Sequence, residues 1–468
     1  MKESLYRQLA DALAIEIESG RWQPHDRLPS IRQIAKTRNL SINTVIKAFH
    51  LLEAKGLVIA KHKSGYFVSG HSPEAKVEPP EKGASSPMKP VEVTLPKLFQ
   101  EIMQRGAAFD VLPSAERSQP NNNLIVLNRH IGRATRRQAN IKAHYYDNPL
   151  GDLQLRQQIG LLYRERNLTL DVEKICIVSG CQNAIFLALM SCCEPGDNVA
   201  VESPAFYGVL QLLESLGLNI IEIPSDPKSG IDVDALTAVA NRWSIKTLVV
   251  TPSYATPSGA CIPPDNCQRI IELARQKDIV IIEDDIYGEL GFQQQLSPIK
   301  SLDTDERVIL CGSFSKCLSR DLRIGWIVGG RWHSNIIQLK LVTLLASNQA
   351  QQQGLVSYLA EGYFRRHLLS YRQTLQLQRD QLLDTINRFW PASIRYHIPE
   401  GGLALWVQLP DHINTAQWYI ELLKEGITLT PGMLFTTENQ YQNYLRLSFS
   451  RPIVGARENA FRLLGKRL

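Results

Sequence analysis

Apolar residues recur at four-residue spacing through the first helix-length stretch, at Leu5, Leu9, Leu13 and Ile17, and Gly20 is placed to stop it. That spacing keeps the apolar groups on one helical face, so the stretch predicts an amphipathic helix. A second, shorter helix is expected after Ser30, whose hydroxyl can accept from the free N–H groups of a first turn. A third is capped by Ser41, runs through Val45, Phe49 and Leu52 to Lys55, and stops at Gly56. Two alternating runs follow, Leu57 to Lys61 and Tyr66 to Ser69, joined by His-Lys-Ser-Gly. Three helices, a strand, a basic turn and a strand predict a winged helix-turn-helix over residues 1–70.

From His71 to Pro96 the periodicity is lost. Pro73, Pro79, Pro80, Pro87, Pro90 and Pro96 are mixed with Glu, Lys and Ser, a composition that buries little and favours extended, solvated chain. Residues 71–96 are expected to be a linker, and residues 97–468 a second domain.

In that second domain short apolar runs near residues 175, 198, 219, 247, 279 and 308 alternate with helical stretches, the signature of an α/β fold. The run Ile279 to Ile282 ends in Glu283, Asp284 and Asp285, so it predicts a buried parallel strand that delivers carboxylates at its C-terminal end. Beyond about residue 330 long helices precede a smaller α+β unit containing Pro399-Glu-Gly-Gly, Pro431-Gly-Met-Leu-Phe and Tyr444-Leu-Arg-Leu-Ser-Phe.

Charge separates the two parts further. The whole chain carries a formal +6, and residues 1–70 hold eleven Lys and Arg against six Asp and Glu, a surplus of 11 − 6 = +5. A small basic domain joined to a near-neutral large one predicts a polyanionic partner for the small one. The eight cysteines are scattered and form no C-x-x-C pair, so reduced thiols are expected and neither a metal nor a disulfide framework is. No apolar run has membrane-spanning length and the N-terminus is amphipathic, which predicts a cytoplasmic location away from membranes.

The candidate chemistry centres on Lys316, in Ser-Phe-Ser-Lys-Cys-Leu-Ser-Arg-Asp-Leu-Arg-Ile-Gly-Trp, residues 313–326. A lysine amine is a nucleophile only when unprotonated, and its main covalent use is a Schiff base with an aldehyde such as pyridoxal phosphate. Ser313, Ser315 and Arg323 could hold that cofactor's phosphate through hydroxyls and a guanidinium fork. Asp284 could pair with its pyridine nitrogen, and Tyr287, three residues on, could donate to its phenolic oxygen. Upstream, Ile175-Cys-Ile-Val-Ser-Gly-Cys-Gln enters as a strand and leaves as a helix, which makes Gly180, Cys181 and Gln182 a candidate phosphate cradle.

From about Pro96 to its end the chain resembles the fold-type I pyridoxal-phosphate enzymes of the aspartate aminotransferase superfamily. The resemblance implies a large α/β domain with a smaller α+β C-terminal subdomain, and pyridoxal 5'-phosphate on Lys316. Tyr145-Tyr-Asp-Asn-Pro-Leu-Gly matches a motif that places Tyr146 against the phosphate of a neighbouring subunit, implying a homodimer. Glu202-Ser-Pro-Ala-Phe-Tyr-Gly implies that Phe206 stacks on the pyridine ring, with Tyr207 one residue away as the alternative. Thr256 stands where aminotransferases carry an asparagine that donates to the phenolic oxygen, and Arg446 stands where they carry the arginine that clamps a substrate carboxylate.

The first domain resembles the GntR-type DNA-binding domain through Leu28 to Arg32, Ser41 to Val45 and Gly65 to Val68. That resemblance implies DNA contacts from Arg32, Ser41, Thr44 and Lys47, and a wing brought to the minor groove by Gly65, with Lys61 and Lys63 on its basic turn. Ile42 stands where the family usually has an arginine after the recognition-helix serine, so one guanine contact is expected to be either missing or replaced by an apolar contact with a thymine methyl. The two halves in this order resemble the MocR subfamily of GntR-type transcription regulators. The implied function is a DNA-binding regulator whose aminotransferase-like domain senses an amine or amino acid by Schiff-base exchange, with double-stranded operator DNA as partner. The competing expectation is a working aminotransferase that carries a DNA-binding domain.

Overall fold

The computed structural model describes residues 5–22, 26–54, 57–61, 65–68, 88–104, 111, 122–138 and 148–468. The chain divides into two compact units, Met1–Lys76 and Val77–Leu468.

In the first unit, helices α1 (Leu5–Glu18), α2 (Ile31–Thr37) and α3 (Ile42–Ala54) precede strands β1 (Val58–Lys61) and β2 (Gly65–Val68). The strands pair antiparallel with Val58 opposite Val68. The chain entering α2 adds to them, since Leu28 N–H donates to Tyr66 O and Val68 N–H to Asp26 O, each at 2.9 Å. Ser30 begins α2 with a reciprocal cap in which its hydroxyl accepts from Gln33 N–H and the Gln33 side chain accepts from Ser30 N–H. The core is Leu9, Ala10, Leu13, Ala14, Val45, Phe49, Leu52 and their neighbours. Leu5, expected on the buried stripe, is 59% exposed. Four-residue steps drift by about 40° each around a helix of 3.6 residues per turn, so the ends of such a stripe rotate off the core and the alanines at 10 and 14 take their place.

The second unit is built on a nine-stranded sheet of β3 (Val91–Glu92), β4 (Ile175–Val178), β5 (Asn198–Ser203), β6 (Asn219–Asp226), β7 (Gly230–Ile231), β8 (Thr247–Val250), β9 (Val280–Asp284), β10 (Val308–Ser313) and β11 (Gly325–Val328). Their order is β3-β6-β5-β8-β9-β10-β11-β4, with β7 on β6. The run β6-β5-β8-β9-β10 is parallel and β11 is antiparallel to both of its neighbours. The C-terminal ends of β4, β5, β8, β9 and β10 therefore lie along one edge, together with the start of β11, and such an edge is where open α/β sheets hold ligands. A three-stranded antiparallel sheet of β12 (Arg395–Tyr396), β13 (Ala404–Gln408) and β14 (Tyr444–Ser448) forms the C-terminal part. The α/β class and the smaller α+β subdomain expected from the sequence are both present.

The end of the expected linker is corrected. Val91 and Glu92 pair with Ile220 and Asn219 of β6, and Val93 and Leu95 are buried in the large core. The alternation of Val91, Val93 and Leu95 with Glu92 and Thr94 is a strand pattern that the surrounding prolines concealed. Residues 88–96 thus belong to the second unit, and residues 71–87 lie outside the described part.

Candidate functional site

Lys316 sits in the tight turn that leaves β10, and its neighbours fix that turn from beneath. Phe314 is fully buried between Trp326 and Phe364, with ring centroids 4.9 and 5.5 Å away, and Leu318 N–H donates to Phe314 O at 2.9 Å. Buried aromatic anchors on one side of the turn leave the lysine to face the other. Burial pushes the Lys316 amine down to about 8, and the Arg446 and Arg320 cations push it the same way against the pull of Asp284. A group that ordinarily stays protonated is thereby brought toward reactivity near neutral pH.

Asp284 ends β9, paired with Cys311 of β10, so the carboxylate and the lysine emerge from adjacent parallel strands. It is buried, and burial raises its carboxyl to about 6 against hydrogen bonds from the Cys181 thiol at 3.0 Å and from Ile286 N–H at 3.3 Å. Both bonds fall on Oδ1, and Oδ2 accepts none among the described residues. The next residue, Asp285, is held bidentate by Arg166 at 2.5 and 2.8 Å and accepts from the Tyr163 hydroxyl at 2.9 Å, which in turn accepts from Trp326 Nε1–H at 3.0 Å. That buried pair clamps the turn carrying Asp284 and Tyr287. Tyr287 is buried, and burial lifts its phenol to about 12 against the nearby Arg446 cation.

Thr256 is buried with its hydroxyl facing the Tyr287 phenol, close enough to favour the ionised phenol but without a well-formed hydrogen bond among the described residues. An orphaned buried hydroxyl costs free energy unless something bound supplies its partner. Arg446 of β14, opposite Trp406 in β13, is buried and lies within electrostatic reach of Lys316, Tyr207 and Tyr287.

At the other end of the site, Gly180 adopts φ +98° and starts the helix Cys181–Cys192 without a side-chain cap, so first-turn N–H groups stay open to an anion. Arg323, itself at φ +49°, reaches over Gly180 and donates to Ser179 O at 2.7 Å. Gly325 is equally confined, since a Cβ there would lie 2.7 Å from the Gly180 backbone. The Gln182 side-chain amide donates to Gly208 O at 2.7 Å, which turns it away from the helix start and leaves only the backbone there. Ser313 departs from expectation: it is buried, with its hydroxyl 3.0 Å from Ile324 O and 2.8 Å from Ser315 Oγ. Lying at the last position of a central strand, it orients Ser315, the more accessible hydroxyl.

Phe206 and Tyr207 diverge. Phe206 is partly exposed, and its ring crowds the space above Gly208 next to the Gln182 side chain; Tyr207 is buried and packs edge-on against Phe435 at 5.8 Å. Burial raises the Tyr207 phenol, and the Arg446 cation opposes the shift. Tyr146 lies outside the described residues. Sequence reasoning missed three participants: the Cys181 thiol on Asp284, Arg320 near Lys316, and Glu202. The last accepts from Thr251 N–H at 3.0 Å, has its other oxygen buried with no hydrogen bond among the described residues, and is raised by burial to about 8. A carboxyl at the buried C-terminal end of a strand was the signal available for Glu202; nothing local announced the other two.

In the first unit Ser41 caps α3 by accepting from Thr44 N–H at 3.1 Å, and the two hydroxyls lie 2.8 Å apart, so both side chains are tied to the helix start. Arg32 and Lys47 are exposed, and Ile42 presents an apolar side chain that is 50% exposed. Gly65 opens β2 at φ +102°, a conformation that side chains rarely adopt. Lys61 ends β1, and Lys63 lies outside the described residues.

The mixed nine-stranded sheet with its smaller C-terminal α+β part is the fold-type I aminotransferase fold, the first unit is a winged helix-turn-helix, and a lysine, an aspartate and a tyrosine lie where the parallel strands end, beside a glycine-opened helix start. The family described as aminotransferase class I and II matches residues 116–454, and the bacterial regulatory proteins of the gntR family match residues 5–68. The chain belongs to the MocR type of GntR regulators, in which these two domains are fused. It is 33% identical to the uncharacterized HTH-type transcriptional regulator YjiR of Escherichia coli over 98% of both chains. It is also 26% identical to the HTH-type transcriptional regulator TauR of Rhodobacter capsulatus over 96% of this chain and 93% of that one. Among solved structures, Pyrococcus horikoshii kynurenine aminotransferase, in complex with PMP, superposes with a TM-score of 0.71 at 27% identity, covering 80% of this chain and 94% of that one. No helix among the described residues is long and apolar enough to cross a membrane.

Proposed function

We propose that this chain is a cytoplasmic, homodimeric transcription regulator that binds operator DNA through its first unit and senses an amine or amino acid through pyridoxal 5'-phosphate held in its second. The residues fit that cofactor. Thr256 carries a buried hydroxyl beside the Tyr287 phenol with no well-formed hydrogen bond among the described residues, Asp284 keeps one carboxylate oxygen open among them, and the uncapped start of Cys181–Cys192 is roofed by Arg323. Lys316 would hold the cofactor covalently, Asp284 its ring nitrogen, and Tyr287 and Thr256 its phenolic oxygen. Its phosphate would rest on Gly180, Cys181, Gln182, Ser315 and Arg323, with Tyr146 of a second copy. Phe206 is the ring-stacking residue in this reading. When bound, the cofactor supplies an aldehyde for which an incoming amine competes with Lys316.

The observation that carries the sensing role is Arg446, a buried guanidinium within electrostatic reach of that lysine, apt for a carboxylate. The test uses the purified full chain with pyridoxal phosphate and a panel of amines and amino acids, reading visible absorbance and DNA affinity together. An amino acid that changes both supports the regulator. A chain that turns over an amino donor and a 2-oxo acid steadily, with DNA affinity indifferent to either, is instead a working aminotransferase. The likeness to kynurenine aminotransferase keeps that second reading in play.

A further inference from the structure

We propose that Cys181 is a positioning residue that joins the two ends of the cofactor site: its backbone N–H belongs to the phosphate cradle while its thiol holds Asp284 for the ring nitrogen. The inference rests on the cofactor reading given above. Cys181 is the first residue of the helix Cys181–Cys192, directly after Gly180, and its Sγ lies 3.0 Å from Asp284 Oδ1. Both residues are buried.

The direction of that bond follows from the chemistry. Burial and the neighbouring Asp284 charge hold the Cys181 thiol well above its usual range, so it remains S–H and donates to the ionised carboxylate, which has no proton to give back. Donation to Oδ1 favours the charged carboxylate, and it opposes the burial that raises Asp284. With the Ile286 N–H on the same oxygen, the two donors fix the rotation of the carboxylate and leave Oδ2 for a ring nitrogen. The other groups around Asp284 do not substitute for the thiol. Asp285, Glu202, Tyr287 and Cys311 each couple to it unfavourably as anions, while Lys316 is the cation assigned to the aldehyde. A residue that spans both ends makes phosphate seating and ring-nitrogen pairing depend on one another.

The test uses pyridoxine 5'-phosphate, which keeps the ring nitrogen and the phosphate but has no aldehyde, so binding is read without the lysine reaction. Its affinity for the full-length apoprotein is measured from pH 5 to 8 for wild type, Cys181→Ala, Cys181→Ser and Asp284→Asn. Wild type should lose affinity as pH falls through the Asp284 midpoint near 6. Cys181→Ala should bind on the order of tenfold more weakly at pH 7 and move that midpoint upward, because a charge-assisted donor is gone. Cys181→Ser keeps a donor and should restore both, whereas Asp284→Asn should flatten the pH dependence. The proposal is overturned if Cys181→Ala titrates as wild type, or if Cys181→Ser behaves like Cys181→Ala. Wild type that binds neither pyridoxine 5'-phosphate nor pyridoxal phosphate would remove the cofactor reading and this inference with it.

Discussion

Gly180 and Arg323 compete for one space: a Cβ on the glycine would stand 2.9 Å from the same Arg323 nitrogen that donates to Ser179 O at 2.7 Å. The glycine also holds φ +98°. Gly180→Ala therefore strains the turn and displaces the guanidinium that roofs the open helix start. The expected outcome is a loss of roughly 1 to 3 kcal/mol of stability and a larger proportional loss of pyridoxal phosphate affinity than Gly196→Ala causes. Gly196 also has positive φ but has open space around it. Equal cofactor binding in the two variants would separate Arg323 from the phosphate.

The lowered Lys316 amine predicts a pH profile. A pKa near 8 in place of 10.5 leaves about a tenth of the amine neutral at pH 7. The rate at which pyridoxal phosphate attaches to apoprotein should therefore rise with pH and level off above about 8. Stopped-flow absorbance gives the midpoint directly. Lys316→Ala should remove the borohydride-reducible linkage, and a midpoint near 10.5 in wild type would mean that the burial assigned to this lysine is wrong.

Breaking the Arg166 and Asp285 pair tests the support behind the site. Removing one partner of a buried ion pair strands the other, at a cost of about 3 to 5 kcal/mol. Arg166→Ala should lower stability by that order and weaken cofactor binding through the Asp284 turn, while Arg269→Ala, which breaks an exposed pair with Asp234, should change stability by less than about 1 kcal/mol. Urea unfolding of the three proteins decides it.

Much of this architecture was written in local pattern. The strands β4, β5, β6, β8, β9 and β10 each begin within a residue of an apolar run read from the sequence, because a strand buried on both faces must be apolar throughout. Lys316, Asp284 and Arg446 were legible because each lies in a motif of its own. The partners joined only by folding were not. Cys181 reaches Asp284 across 103 residues, and Tyr163, Asp285 and Trp326 converge from three separate segments. The strand Val91–Glu92 was lost for another reason, since its prolines spoke for a linker while its partner β6 lay over a hundred residues away.

For DNA binding, Lys47 and Arg32 are exposed and form no ion pair within the described fold, so each is available to phosphate. Lys47→Ala should weaken binding across all sequences and lower the slope of log affinity against log salt by about one. Ile42→Arg should instead change which bases are preferred, since a guanidinium reads guanine where an isoleucine meets a thymine methyl. Salt titrations and a selection from random DNA separate the two. Identical salt slopes for wild type and Lys47→Ala would remove Lys47 from the phosphate contacts.

Arg446 tests whether the two units work as one device. It is buried in β14 within reach of Lys316, so an amino acid whose amine competes for the cofactor's aldehyde would place its carboxylate at this guanidinium. Such a ligand can alter DNA binding only if it favours one arrangement of the protein over another. Linkage then obliges DNA to change the ligand's affinity by the same factor that the ligand changes DNA affinity. Arg446→Ala should keep the covalent cofactor and the basal DNA affinity but lose most of the response to a carboxylate-bearing effector, and keep the response to a simple amine. The measurement is DNA affinity for both proteins with and without each effector, paired with effector affinity with and without DNA. Equal responses in the two proteins would take Arg446 out of the coupling, and two unequal factors in wild type would mean that the ligand and the DNA are not acting on one equilibrium.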